Sequence, residues 1–177
     1  MSQDNIIFTR PVQVAEIPSG GRRVKITTNA AECADLARRL HLPAVASLTA
    51  DLELLPFGRD GISVAGTIAA RLTQTCVASS EDFESEVLAP VSIRYSTDGV
   101  DPNAEIDIAD LLGNLDAEDP PDLLVDGRID LGAIVAEFLA LALDPYPRKP
   151  GSEFAAPAQE GEASPFAALA ALKKPSR

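Results

Sequence analysis

The side chains most capable of chemistry in this sequence are one histidine and two cysteines. His41 is the only histidine among the 177 residues, and the predicted elements place it at the end of a helix. Cys33 falls on the apolar stripe of the same helix, which indicates a packed thiol. Cys76 would be a candidate nucleophile only beside a general base, and the sequence predicts none there. The serine elbow, the zinc-binding histidine pair and the phosphate-binding glycine loop are all missing from the sequence.

We therefore predict that the protein is not an enzyme and needs no cofactor. A thiol-dependent or metal-dependent activity centred on Cys76 or His41 is the enzymatic alternative. The run from Asp101 to Glu105 resembles a calcium loop, but Ile106 replaces its turn glycine and Leu112 replaces its closing carboxylate. Two cysteines are also too few for a structural zinc site. The sequence thus predicts a solvated acidic loop and no bound metal.

The negative charge is concentrated in one internal stretch. The chain has 27 Asp and Glu residues against 15 Lys and Arg residues, which gives a net charge of -12. Residues 81–126 hold 14 of the acidic residues and a single basic residue, Arg94. This stretch is either a solubilising loop or a surface that attracts a basic partner. The acidic balance argues against non-specific DNA or RNA binding and against an anionic membrane surface.

Periodicity predicts an α+β domain that would position these residues. Short strands at 6–16 and 23–27 precede a helix that begins at Asn29, where Glu32 completes a capping box. Alternating apolar residues then predict consecutive strands, which favours a mainly antiparallel sheet of about five to seven strands packed with two main helices. The three longest predicted strands span 44–54, 62–76 and 87–95.

The strongest helix signal runs from Leu131 to Leu143. Asp130 can cap this helix, and Asp144-Pro145 ends it because proline cannot continue the hydrogen-bond ladder. The helix is apolar almost all round, with Glu137 its only charged residue, so the pattern predicts deep burial. We predict one domain over residues 1–148, with an acidic insert at 96–126 that contains a short helix around Ile108 to Leu115.

Residues 149–177 are predicted to form a flexible linker and a short C-terminal helical motif. The linker over 149–163 is rich in Pro, Gly, Ala and Glu. The motif from Ser164 to Lys174 has apolar residues at helical spacing, and it either docks on a partner or returns to its own domain. No apolar run approaches the ~20 residues of a membrane span, and no signal peptide pattern is present, so we expect a cytoplasmic protein.

Three sequence blocks carry a family resemblance. The first is Thr73-Gln74-Thr75-Cys76-Val77, and the second runs from Ile129 to Arg148 through Asp144-Pro145-Tyr146. The third runs from Ser164 to Lys174. Their order and spacing resemble the YceD family, also called the large ribosomal RNA subunit accumulation proteins. The resemblance extends from about Arg10 to Lys174, and the second block is its most specific part.

The resemblance implies a non-enzymatic role in the synthesis, processing or stability of 23S ribosomal RNA and in assembly of the large ribosomal subunit. It implies a ribosomal protein or a pre-ribosomal large-subunit particle as the partner, with ribosomal RNA contacted directly or indirectly. Several family members have Cys-x-x-Cys where this chain has Cys76-Val77-Ala78-Ser79, so the pair cannot form half of a zinc site here. The residues that carry the family pattern or would contact the partner are Gln74, Cys76, Glu137, Asp144, Pro145, Tyr146, Arg148, Phe166, Leu169 and Leu172.

Direct recognition of ribosomal RNA is the alternative binding function. It requires that scattered basic residues share one face of the fold despite the negative net charge. The residues concerned are Arg22, Arg23, Lys25, Arg38, Arg39, Arg148 and Lys149.

Overall fold

A five-stranded sheet and two helices organise the residues that the computed structural model describes, which are 8–99 and 120–152. The strands lie in the order β2-β3-β4-β5-β6. Their neighbours pair antiparallel except at the last pair, where β6 runs parallel to β5. The α+β class with a mainly antiparallel sheet is therefore confirmed. The strand bounds are Arg22–Thr27 for β2, Ala44–Phe57 for β3, Gly61–Thr75 for β4, Asp82–Ser96 for β5 and Asp122–Leu123 for β6.

A second, two-stranded sheet joins the beginning and the end of the domain. Strand β1 (Pro11–Gln13) pairs antiparallel with β7 (Arg128–Asp130), and a 3-10 turn follows β1. The predicted strand over 6–16 is thus shorter than expected within the described residues. Pro11 is accommodated because both strands of such a sheet are edge strands, where a missing N–H group breaks no ladder.

Strand β5 begins earlier than its apolar residues predict. The alternation of clearly apolar residues starts at Val87, whereas the strand starts at Asp82. Its first half alternates exposed acidic residues with half-buried Phe83 and Ser85. A sheet margin of this kind buries little apolar surface, so its period-2 signal is weak in the sequence.

Helix α1 (Ala30–Arg39) has the capping box that the sequence predicts. The Glu32 N–H donates to Asn29 Oδ1 at 3.0 Å, and the Asn29 N–H donates to Glu32 Oε2 at 2.9 Å. The Arg10 guanidinium lies 2.7 Å from the other Glu32 oxygen. Burial opposes ionisation of Glu32, but the Asn29 N–H and the Arg10 guanidinium outweigh it and lower the pKa of this carboxyl. The capping box thus also ties α1 to the N-terminal segment.

Helix α2 (Leu131–Ala142) covers the sheet with one side only. Asp130 caps it by accepting the Gly132 N–H at 2.8 Å. Leu131, Val135 and Leu139 are fully buried, but Leu141 is 75% exposed. The prediction that the whole helix is deeply buried is therefore wrong. The helix packs against a sheet rather than between two layers, so apolar residues on its far side remain in solvent.

The core lies between the two helices and the inner face of the sheet. It includes Phe8, from the segment that precedes β1, together with large side chains from β3, β4 and α2. No helix in the described ranges is long and apolar enough to cross a membrane. The predicted helix around Ile108 to Leu115 and the C-terminal motif from Ser164 to Lys174 lie outside the described residues.

Candidate functional site

The turn between β4 and β5 forms a tight loop that begins at Cys76. The Cys76 N–H donates to the Glu81 carbonyl at 2.8 Å, and the Ser80 N–H donates to the Cys76 carbonyl at 2.8 Å. Ser80 has a φ of 58°, a left-handed conformation that lets the chain reverse sharply before β5. We call residues 76–81 the Cys76 loop.

The segment that follows α2 crosses this loop and is hydrogen-bonded to it. The Val77 N–H donates to the Pro147 carbonyl at 2.9 Å. The Lys149 ammonium lies 2.8 Å from Glu81 Oε2, and the Cys76 thiol lies 3.4 Å from the Ser152 hydroxyl. The first and second family blocks are therefore in contact. Residues 149–152, which the sequence assigns to the linker, are part of this contact.

The Cys76 thiol is 1% exposed and sits among hydrogen-bonding groups. The Ser152 hydroxyl, the Ser79 hydroxyl and the Lys149 backbone lower the pKa of Cys76 to about 6, against the opposing effect of burial. These contacts stabilise the thiolate, which is the nucleophilic form of cysteine. The hydrogen bond between Cys76 and Ser152 also anchors the loop to the 144–152 segment.

Ser79 is the last residue of the Cys76-Val77-Ala78-Ser79 stretch. Its side chain is one of the groups that lower the pKa of Cys76. Across residues 8–99 and 120–152, no group of three or more His, Cys, Asp or Glu side chains is arranged to hold a metal ion.

Two of the family-pattern residues lie away from this contact. Gln74 is buried near the end of β4, where its side-chain oxygen accepts the Ser85 hydroxyl at 2.9 Å. Glu137 is exposed on α2. It lines a 340 Å³ cavity together with Arg39 of α1. Burial, Asp122 and Glu137 together raise the pKa of Tyr95 to about 12, which places Glu137 near β5 rather than near the Cys76 loop.

The Asp144-Pro145-Tyr146 turn is fixed by its own side chain. Asp144 Oδ1 accepts the Tyr146 N–H at 2.8 Å, a local bond typical of aspartate in turns. Asp144, Pro145 and Arg148 are exposed, and Tyr146 is 74% exposed. The remaining predicted positions, Phe166, Leu169 and Leu172, lie outside the described residues.

Exposed apolar side chains occur on both segments of this contact and at the end of the helix that precedes it. Six large apolar residues of the described chain are exposed, and Val77, Leu141 and Tyr146 are three of them. Val77 belongs to the Cys76 loop and Tyr146 to the 144–152 segment, which the Val77–Pro147 hydrogen bond joins, and Leu141 lies in the last turn of α2, just before that segment. We call these three side chains the Tyr146 surface. Contiguous exposed apolar patches are typical of protein-binding surfaces, and these three exposed side chains are the candidates for one here.

Sequence reasoning identified Tyr146 and missed Val77, Leu141 and Ser152 as parts of the site. The apolar pattern of α2 indicated a buried Leu141, because periodicity cannot tell which side of an all-apolar helix is covered. Ser152 carried no sequence signal, since it meets Cys76 across 76 residues of chain.

The comparisons with known proteins place this site within one family. Neither the curated proteins nor the solved structures contain a significant match to the chain. The model of the family described as large ribosomal RNA subunit accumulation protein YceD matches residues 64–173. The matched range begins within β4 and contains the Cys76 loop, β5, α2 and the 144–152 segment. As the match covers more than half of the chain, the protein belongs to the YceD family of large ribosomal RNA subunit accumulation proteins.

Proposed function

We propose that this protein is a non-enzymatic assembly factor of the large ribosomal subunit that binds a basic ribosomal protein or an assembly intermediate through its Tyr146 surface. The family ties the chain to accumulation of large-subunit ribosomal RNA, and so to ribosome biogenesis. The observation that carries the binding role is the exposure of Val77, Leu141 and Tyr146 on a hydrogen-bonded framework inside the family-matched range.

The framework under the Tyr146 surface favours tight binding. Tyr146 is held by the Asp144 turn, and the adjoining Pro147 carbonyl is bonded to the Val77 N–H. Backbone that is already fixed in its bound conformation loses less conformational entropy when a partner covers it. Tyrosine is also among the residues that most often dominate binding energy at protein interfaces.

The charge of the chain supports a basic partner. Residues 100–119 contain seven acidic residues and no basic residue, and they are flanked by acidic β5 and β6. Long-range attraction from such a charge distribution raises the rate of encounter with basic proteins and falls as salt screens it. Ribosomal proteins are partners of this kind, because they must bind an RNA polyanion.

Direct recognition of RNA is less well supported, because four of the seven basic residues it would use (Arg23, Lys25, Arg38 and Lys149) form ion pairs within the protein. Arg23 lies 3.1 Å from Glu53, Arg38 lies 2.7 Å from Asp35, and Lys149 lies 2.8 Å from Glu81. Each of these pairs places a carboxylate where a phosphate would have to approach. Such pairing reduces the counterion release that drives binding to nucleic acids.

The non-enzymatic part of the proposal is supported by the cover over Cys76. Its thiol is buried beneath Ser152 and the Lys149 backbone, so a substrate would have to displace the 144–152 segment to reach it. A nucleophile needs an accessible sulfur as well as a lowered pKa.

Crosslinking in growing cells, followed by sedimentation of ribosomal particles, tests this function. The full chain should crosslink to a basic large-subunit protein and sediment with large-subunit precursors. Tyr146→Ala and Leu141→Ala should reduce both signals, while Val125→Ala should not, because Val125 is also exposed, at 61%, but lies between β6 and β7. Full crosslinking and sedimentation by both Tyr146 surface variants would exclude this surface, and sedimentation apart from ribosomal particles would exclude the function.

A further inference from the structure

The outer edge of β5 is unpaired over most of its length. Within the described residues, β5 pairs with β6 only at Tyr95 and Ser96, so residues 82–94 have β4 on one side and no strand on the other. Backbone groups at the edge of a sheet can form a full ladder with an incoming extended chain.

Three features show which backbone groups of β5 point to this edge. Pro90 has no N–H group, yet the β4–β5 register passes through it without a shift, so this position needs no bond to β4. The Ser96 carbonyl accepts the Leu124 N–H at 2.8 Å on the β6 side. The Glu81 carbonyl accepts the Cys76 N–H at 2.8 Å on the β4 side. Alternation therefore directs the even-numbered residues of β5 to the open edge and the odd-numbered residues to β4.

The side chains along the first half of this edge are amphipathic. Asp82, Glu84 and Glu86 are exposed on the outer face, and Leu88 beside them is 80% exposed. On the inner face, Phe83 and Val87 alternate with Ser85 and are only half-buried. An added strand would complete the cover over these two apolar side chains.

We propose that the edge of β5 over residues 82–88 accepts an extended basic segment of the partner protein as an added strand. This inference rests on the proposed function and specifies how the basic partner is held. Backbone bonds to the even-numbered residues would hold the strand, while its Lys or Arg side chains oppose Glu84 and join the pair that Glu86 forms with Arg71 of β4 at 3.2 Å. Its apolar side chains lie over Phe83 and Val87. Pro90 ends the site, since it offers no N–H group.

Charge and position favour a partner protein over the other occupants. A second copy of β5 would bring its own acidic residues against Glu84 and Glu86. The other edge strand, β2, is basic, but its Arg23 and Lys25 already pair with Glu53 and Asp51. RNA would place phosphates against carboxylates. The edge begins directly after the Cys76 loop, which carries Val77 of the Tyr146 surface.

Amide hydrogen exchange on the full chain, read residue by residue by NMR, tests the added strand. The probe is a synthetic peptide of about nine residues in which Lys and Val alternate, long enough to span residues 82–88 at ~3.4 Å per residue. We expect the amides of Glu84, Glu86 and Leu88 to exchange quickly in the free protein and roughly tenfold or more slowly with the peptide, the factor expected for one hydrogen bond of ordinary net strength. The amides of Phe83 and Val87, which are bonded to β4, should exchange slowly both in the free protein and in the presence of the peptide.

A peptide with Glu in place of Lys is the matched control and should give no protection. Glu84→Pro removes one edge N–H group without touching the β4 ladder, so it should abolish binding of the basic peptide. Glu84→Gln removes only the charge and should weaken binding less. The exchange pattern of the unaltered protein needs no substitution, so the test stands even where the proline variant folds poorly.

Four results would overturn the inference. Protection of Glu84, Glu86 and Leu88 in the free protein would show that the chain covers its own edge, and protection that rises with protein concentration would show pairing between copies. Equal binding of the peptide by Glu84→Pro and Glu84→Gln would show contact through side chains alone. If the protein captures basic large-subunit proteins while these amides stay unprotected, the proposed function stands and the added strand is excluded.

Discussion

Cys76 is the residue whose chemistry depends most on its surroundings. Hydrogen bonds from Ser152, Ser79 and the Lys149 backbone bring its pKa to about 6, against an ordinary thiol value of 9.0. Nothing at position 76 in the sequence indicates this, because the decisive contact with Ser152 depends on the path of the chain after α2. The sequence placed the thiol correctly at the end of a strand and could not identify the groups around it.

The lowered pKa of Cys76 makes folding stability depend on pH. Between pH about 6 and about 9 the unfolded chain binds the thiol proton and the folded chain does not, so stability should rise with pH in this window. The contribution is fully present above the unfolded-state pKa and is lost as pH falls through about 6. Urea denaturation midpoints across this range measure the effect. Cys76→Ser cannot titrate here, so an equally steep rise in that variant would assign the effect to another group.

The two leucines near the end of α2 should differ sharply when truncated. Leu139 is fully buried, so Leu139→Ala should reduce the free energy of unfolding by ~2–5 kcal/mol, the usual cost of such a deletion in a core. Leu141 is exposed, so Leu141→Ala should change stability by less than ~0.5 kcal/mol. Chemical denaturation of both variants measures the difference. Equal losses would mean that the far side of α2 is covered.

The elements that the sequence predicts best are those with local signals. Asn29 and Asp130 mark both helix starts because their side chains bond the first N–H groups of the helix, whatever the tertiary structure. Strands β6 and β7 were not predicted, since two or three residues are too few to show a period. The early start of β5 was missed because the strand is acidic on one face and only half-buried on the other.

The C-terminal motif from Ser164 to Lys174 should act separately from the fold. Its spacing predicts one apolar edge, but a helix of this length is unstable alone in water and should order only on another surface. Truncation after Ala163 should therefore leave the melting temperature nearly unchanged and reduce association with pre-ribosomal particles. Calorimetry and sedimentation of the full and truncated chains measure the two effects. A marked fall in melting temperature would show that the motif packs on its own domain.

For the whole molecule, Asp130 is the point where the two ends of the domain are joined. One carboxylate oxygen accepts the Arg10 N–H at 2.7 Å and the Gly132 N–H at 2.8 Å, so it links the N-terminal segment to the start of α2. Asp130→Ala should lower the free energy of unfolding by ~1–3 kcal/mol, through loss of a cap and of a second partly buried bond. Asp130→Asn keeps an acceptor and should cost less. Denaturation midpoints of the two variants measure these losses. Equal losses of stability in both variants would mean that the charge of Asp130, rather than its hydrogen bonds, stabilises the fold.

The pairing of β1 with β7 also determines the earliest time at which the protein can complete its folding during synthesis. Arg10 and Asp130 are 120 residues apart, and at a synthesis rate of about 5–20 residues per second the partner of β1 is made roughly 6–24 s after β1 itself. Over that interval Phe8, which the finished core encloses completely, has no α2 to pack against. During its first seconds on the translating ribosome, the nascent chain of this ribosome-biogenesis protein therefore leaves Phe8, the first core residue of its described part, exposed and accessible to chaperones.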